Sequence, residues 1–177
     1  DNRVGVGTTT PTANFEVSGK NIAFNTSLDG GNDALITTTA TPAQMSDGAS
    51  ATANGYIYIL GGNTPSTTVY YAKVSGNGSV GSWITSTNSM PSGKTRFTAV
   101  TYNGYLYAVG GYSGGYLATV YYSRLNSDGS NGTWQTATNL PTGLGWVRAV
   151  AANGYLYALG GAGSDAARPH CATSGSR

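Results

Sequence analysis

Seven side chains in this sequence suit recognition of a polar ligand: Asp47, Lys94, Arg96, Tyr112, Tyr116, Trp146 and Arg148. Tyrosine and tryptophan offer flat faces for stacking on a sugar ring or a cation. Arginine, lysine and aspartate supply donors and acceptors for hydroxyl groups. Asp47, Arg96 and Trp146 share one offset, each at the same distance before an Asn-Gly pair (Asn54, Asn103, Asn153). The plainer reading of the same residues is that the arginines tie neighbouring elements together and the tyrosines pack.

Catalysis has thinner support. An enzyme needs a positioned acid, base or nucleophile. The only histidine, His170, and the only cysteine, Cys171, adjoin in a polar tail, and the only glutamate is Glu16. Asp29 and Asp33 flank glycines and an asparagine and read as loop formers. Gly111-Tyr112-Ser113-Gly114-Gly115 fits G-x-S-x-G, but a nucleophile elbow needs a strand-to-helix turn and a distant histidine, and here a strand follows. One cysteine allows no internal disulfide and no paired metal-ligand spacing. The sequence therefore assigns no catalytic residue, no metal ligand and no cofactor.

The elements that position the seven residues come from a repeat. Asn-Gly-Tyr-x-Tyr begins at Asn54, Asn103 and Asn153, and each copy runs into an apolar pair and Gly-Gly: Gly61-Gly62, Gly110-Gly111 and Gly160-Gly161. Val69-Tyr70-Tyr71 recurs as Val120-Tyr121-Tyr122, Trp83 as Trp134, and Met90-Pro91 as Leu140-Pro141. Asn-Gly favours a type I′ turn, because both central residues need positive φ, so each pair closes a hairpin. The strand before the turn is small and β-branched; the strand after it alternates tyrosine with an aliphatic residue. A third strand is expected at Thr67–Val74 and Ala118–Leu125. Asn77-Gly78 and Asp128-Gly129 then turn it into a fourth strand containing Trp83 or Trp134, both read as core. Four antiparallel strands per repeat of about fifty residues make one propeller blade.

Composition agrees. Charged residues are 9% of the chain, with 27 Gly and 13 Tyr, which disfavours long helices and favours strands joined by tight turns. The net charge of +2 is scattered and leaves no footprint for nucleic acid. No apolar run is long enough to span a membrane.

Over residues 45–161 these marks resemble the kelch family, in the strand-ending Gly-Gly, the downstream Tyr and the further downstream Trp. One departure is the longer stretch from Tyr71 to Trp83 and from Tyr122 to Trp134, as in a bacterial kelch-like variant. Residues 1–44 form a separate segment. Within it, Val4 to Pro11 and Phe15 to Gly19 resemble a linker of phage tail fibres and bacterial surface proteins; this segment could add strands to a blade. Residues 162–177 lack alternation and are expected to be disordered or foreign to the repeat.

The expected fold is all-β, with two to three four-stranded kelch-like blades in an incomplete ring. The function the resemblance implies is a non-enzymatic extracellular or cell-surface binding module, directed at glycans or a surface protein, with Asp47, Lys94, Arg96, Tyr112, Tyr116, Trp146 and Arg148 as its contacts. The alternatives are a hydrolase or sugar-isomerising enzyme on the same scaffold, and a structural spacer. The metal-ligating Tyr, His and Cys set of kelch-like sugar oxidases is absent from the sequence. Because propellers close with about four to eight blades, self-association is expected, two chains completing a ring.

Overall fold

The computed structural model describes residues 39–43 and 45–163, and the backbone of three further strands at 4–6, 15–17 and 171–175. The chain divides into two compact units, residues 1–38 with 76–79, and residues 39–75 with 80–177. In the first unit β1 (Val4–Val6) pairs in parallel with β2 (Phe15–Val17). Its 76–79 segment is an exposed turn, in which the Asn77 side-chain oxygen accepts hydrogen bonds from the backbone N–H and the hydroxyl of Ser79, at 3.1 and 2.8 Å.

The second unit is made of blades. Blade 1 is β3 (Ala49–Ala53), β4 (Tyr56–Leu60), β5 (Val69–Lys73) and β6 (Ile84–Thr85), antiparallel in that order. Blade 2 repeats the order with β7 (Thr98–Tyr102), β8 (Tyr105–Val109), β9 (Val120–Leu125) and β10 (Asn131–Thr136). The short β11 (Leu144–Gly145) leads into blade 3, where β12 (Arg148–Ala152) pairs with β13 (Tyr155–Leu159). β14 (Ala162–Gly163) returns to pair with β11, and β15 (Cys171–Gly175) pairs with β13. Each Asn-Gly closes its hairpin as expected, with φ of 52° and 77° at Asn54-Gly55, 48° and 78° at Asn103-Gly104, and 53° and 84° at Asn153-Gly154.

Two expectations are corrected. The sequence reading placed no strand after Gly161, yet β14 and β15 both form. β15 has no apolar alternation; its pairing rests on the backbone edge of β13, which a residue pattern does not reveal. By the repeat, Trp83 belongs in the core and within the fourth strand. It lies just before β6 and is only half-buried, whereas Trp134 lies inside β10 and is 7% exposed.

The blades stack through their first strands. The Thr101 hydroxyl on β7 donates to the Thr52 carbonyl on β3 at 2.7 Å. Two buried clusters fill the seams. Between blades 1 and 2 lie Tyr58, Leu60, Tyr71, Phe97, Leu106 and Trp134 among others. Between blades 2 and 3 lie Val109, Val120, Leu140, Leu144, Val147 and Leu156. The Gly-Gly pairs mark where the next blade's lead-in crosses. A Cβ on Gly61 would sit 2.6 Å from the Phe97 ring, and one on Gly110 would sit 2.6 Å from the Leu144 carbonyl.

The repeat also reaches further back than its sequence landmarks. The Trp134 indole donates to the Asn88 carbonyl at 3.1 Å, and the Trp83 indole donates to the Thr39 carbonyl at 3.3 Å. The Asn88 amide donates to the Asn131 carbonyl at 2.8 Å, and the Thr39 hydroxyl donates to the Val80 carbonyl at 2.9 Å. Thr39 therefore stands where Asn88 stands one repeat later. The sequence signal for this was Pro42, which falls in register with Pro91 and Pro141.

Candidate functional site

The three residues that share an offset before the Asn-Gly turns meet in a row. The Arg96 N–H donates to the Asp47 carbonyl at 2.7 Å, and the Trp146 N–H donates to the Arg96 carbonyl at 2.6 Å. Each bond joins the lead-in of one blade to that of the next. Arg96 and Trp146 hold left-handed backbones, with φ of 56° and 53°. For non-glycine residues that conformation costs about 1–3 kcal/mol and persists only where the surroundings enforce it.

The side chains follow the backbone. The Arg96 Nε lies 3.4 Å from the Asp47 carboxylate, with both side chains about one-third exposed. On its other sides the guanidinium carbon lies 4.5 Å from the centre of the Trp146 ring and 5.1 Å from that of Tyr112. Arg96 is therefore held between an anion and two aromatic faces. Trp146 is 46% exposed, so much of its ring faces solvent.

Tyr112 is fixed by paired backbone bonds with Thr95, at 3.0 and 2.8 Å. Its ring meets Tyr116 edge-on, with centroids 5.6 Å apart. Tyr116 in turn packs over the lead-in to blade 3, since a Cβ on Gly145 would sit 3.1 Å from its ring. Five of the seven residues expected from sequence, namely Asp47, Arg96, Tyr112, Tyr116 and Trp146, thus form one connected set.

Arg148 is exposed at the start of β12, and among the described residues no hydrogen bond or ring contact joins it to that set. Lys94 is elsewhere altogether. It is fully buried, and its ammonium donates to the Gly110 carbonyl at 2.9 Å, the Thr119 carbonyl at 3.0 Å and the Thr119 hydroxyl at 2.7 Å. It also lies 4.5 Å from the centre of the Tyr121 ring. Burial pushes its pKa down to about 7. Lys94 closes the top of blade 2 and is not offered to a ligand. A lysine in a glycine-rich loop reads as exposed, and nothing in the local sequence signals three carbonyl and hydroxyl acceptors brought by Gly110, just after β8, and Thr119, just before β9.

The set contains one carboxylate, one guanidinium and three aromatic rings. Among the described residues no group of three or more His, Cys, Asp and Glu is placed to hold a metal ion. The arrangement can stack a flat ligand on Trp146 and bond its hydroxyls to Asp47 and Arg96.

Comparison with known proteins bears on the fold. The Kelch motif family matches residues 93–122. The solved structure of YjhT superposes with a TM-score of 0.58 at 22% identity, covering 72% of this chain and 37% of YjhT. The chain thus spans little more than a third of that protein's length. No curated protein matches the sequence.

Proposed function

We propose that this chain, a run of kelch-type β-propeller blades, is an extracellular binding and interaction module without a catalytic role. It holds a carbohydrate on the Asp47–Arg96–Trp146 row. The observation that carries this reading is Arg96, set between a carboxylate and two aromatic faces while its backbone and that of Trp146 are kept left-handed. A low charge content with abundant Tyr, Thr, Asn and Gly agrees with a role outside the cell.

The test is a glycan array followed by titration of the best ligand. Trp146→Ala and Arg96→Ala are expected to weaken binding at least tenfold. Arg124→Ala, on the exposed face of β9, is expected to leave it unchanged. Binding that survives both row substitutions would sink the reading.

A second reading has its own support. The backbone bonds from Arg96 to Asp47 and from Trp146 to Arg96 join successive blades, so the row could serve only as a clamp in a structural spacer. In that case Arg96→Ala lowers the melting temperature and no glycan binds the parent protein.

A further inference from the structure

Blades 1 and 2 end their second strands in the same way and fill the space beyond differently. In blade 2 the Gly110 N–H donates to the Thr119 carbonyl at 3.1 Å; in blade 1 the Gly61 N–H donates to the Thr68 carbonyl at 3.0 Å. Val-Tyr follows each threonine, Val120-Tyr121 in one and Val69-Tyr70 in the other. Gly61, Thr68 and Tyr70 therefore stand where Gly110, Thr119 and Tyr121 stand one repeat later.

In blade 2 this corner is a cradle for a cation. The Gly110 carbonyl, the Thr119 carbonyl and the Thr119 hydroxyl oxygen accept from the Lys94 ammonium at 2.9, 3.0 and 2.7 Å, three acceptors for three N–H donors. The Tyr121 ring completes it, with its centre 4.5 Å from the ammonium. The Tyr121 hydroxyl is bonded in turn to the Ser92 hydroxyl at 3.1 Å.

Blade 1 keeps the cradle and lacks the lysine. With Asn54 set against Asn103, Met45 takes the place of Lys94 and Ala43 that of Ser92. A thioether has no hydrogen to donate. Met45 turns toward Gly48, where a Cβ would sit 3.0 Å from its methyl carbon. A cavity of about 270 Å³ remains, lined by Ala43, Gly61, Gly62, Ser66, Thr68 and Tyr70 among others.

The acceptors of this cavity are in want of donors. Gly61 is buried, and among the described residues no hydrogen bond reaches its carbonyl. Leaving a buried carbonyl unpaired costs free energy that a bound donor recovers. The Thr68 hydroxyl oxygen accepts from the Ser66 hydroxyl at 3.1 Å and has a second lone pair. No carboxylate is among the described residues that line the cavity, so the donor set does not suit calcium or magnesium.

We propose that this cavity binds the primary ammonium group of a small amine carried on a short apolar stem. The Gly61 carbonyl, the Thr68 carbonyl and the Thr68 hydroxyl oxygen hold the ammonium beside the Tyr70 ring, as their counterparts hold Lys94. Ala43, in place of Ser92, gives the stem an apolar wall. The site shares no residue with the Asp47–Arg96–Trp146 row and is a second binding site, separate from the one proposed for carbohydrate.

The probe is n-butylammonium, which has the stem and head of a lysine side chain. Titration followed by NMR is expected to shift the Gly61 and Thr68 signals saturably. Tetramethylammonium, with the same charge and no N–H, should leave them in place. Met45→Lys puts blade 2's own cation into the cradle and is expected to weaken butylammonium binding at least tenfold while raising the melting temperature. Thr68→Val removes one acceptor and keeps the shape; it should weaken binding at least fivefold and melt close to the parent. It tests the site even if Met45→Lys does not fold. A parent that does not bind butylammonium overturns the proposal. So does binding that survives Thr68→Val or is matched by tetramethylammonium, since the amine would then sit elsewhere or answer to charge alone. Equal saturation by bare ammonium or potassium ions overturns it as well, because the cradle would then hold an ion without a stem. The glycan experiment is independent of all these outcomes.

Discussion

The seam between blades 1 and 2 and the seam between blades 2 and 3 are built on one repeat and filled differently. In the first, Trp134 reaches across to Asn88, and Asn88 and Asn131 exchange side-chain bonds to each other's carbonyls, at 2.8 and 2.9 Å. In the second, the lead-in is Leu144 and Val147 packed on Val109 and Val120, with a cleft beside them. The backbone crossing is common to both, since Gly61 and Gly110 are each approached by the lead-in that follows. The repeat thus prescribes where chains cross. What a seam is made of depends on which side chains the neighbouring blade delivers.

The largest effect should come from the tryptophans, whose repeat positions match while their neighbours do not. Trp134→Ala is expected to destabilise the protein by about 3–5 kcal/mol, because it empties a packed core and strips the Asn88 carbonyl of its donor. Trp83→Ala, with its ring half in solvent, is expected to cost about 1–2 kcal/mol. Urea denaturation of both variants checks this. Equal losses would mean that the two positions are packed alike after all.

These two residues also show how far the sequence could be read. The three Asn-Gly hairpins, the strands around them and the third strands at Val69–Lys73 and Val120–Leu125 follow from local rules, since turn chemistry and period-two alternation act within a few residues. The shared offset of Asp47, Arg96 and Trp146 was equally legible, because a repeat places equal offsets in equal places. Burial was not. Trp83 and Trp134 look alike in sequence, as do Tyr58 and Tyr107, and each pair is set apart by what the neighbouring residues lay over it, from the preceding side for the tryptophans and from the following blade for Tyr58. The burial of Lys94 is hidden for the same reason: its three acceptors, on Gly110 and Thr119, lie sixteen or more residues away in sequence. The strand at Cys171–Gly175 is held by the edge of β13 and has no apolar pattern to announce it.

Lys94 and Leu144 give a sharper form of the comparison, because both occupy the position just inside the lead-in and both are fully buried. Burial lowers the folded-state pKa of Lys94 from 10.5 to about 7. Between those values the unfolded chain holds a proton that the folded chain has released, so stability rises with pH, by at most about 1.4 kcal/mol per unit. Tyr58 acts oppositely at higher pH. Burial, helped by Tyr56, Tyr71 and Asp128, raises it to about 12, so from pH 10 upward the unfolded chain ionises first and stability falls. Lys94→Leu, which copies blade 3, is expected to flatten the profile between pH 7 and 10 and to leave the fall above it. Denaturant midpoints at unit pH intervals decide the matter. A flat parent profile would show that the three acceptors keep the ammonium charged.

The smallest effect is expected at Arg96, a side chain that faces both neighbouring lead-ins. Toward blade 1 it faces the Asp47 carboxylate; toward blade 3 it lies over the Trp146 ring. Both contacts are partly solvated, so Asp47→Ala should cost about 0–1 kcal/mol and Trp146→Ala about 0.5–1 kcal/mol through the lost cation–π contact. They should part company in salt. Raising the ionic strength screens the Asp47–Arg96 attraction, so the cost of Asp47→Ala should shrink toward zero, whereas the loss on Trp146→Ala, which includes packing, should change little. Neither substitution touches the backbone bonds that carry the row from blade to blade. If Asp47→Ala instead destabilises by several kcal/mol at all salt concentrations, the carboxylate is holding the left-handed Arg96 backbone in place, and the row is first a clamp between blades and only then a surface for a ligand.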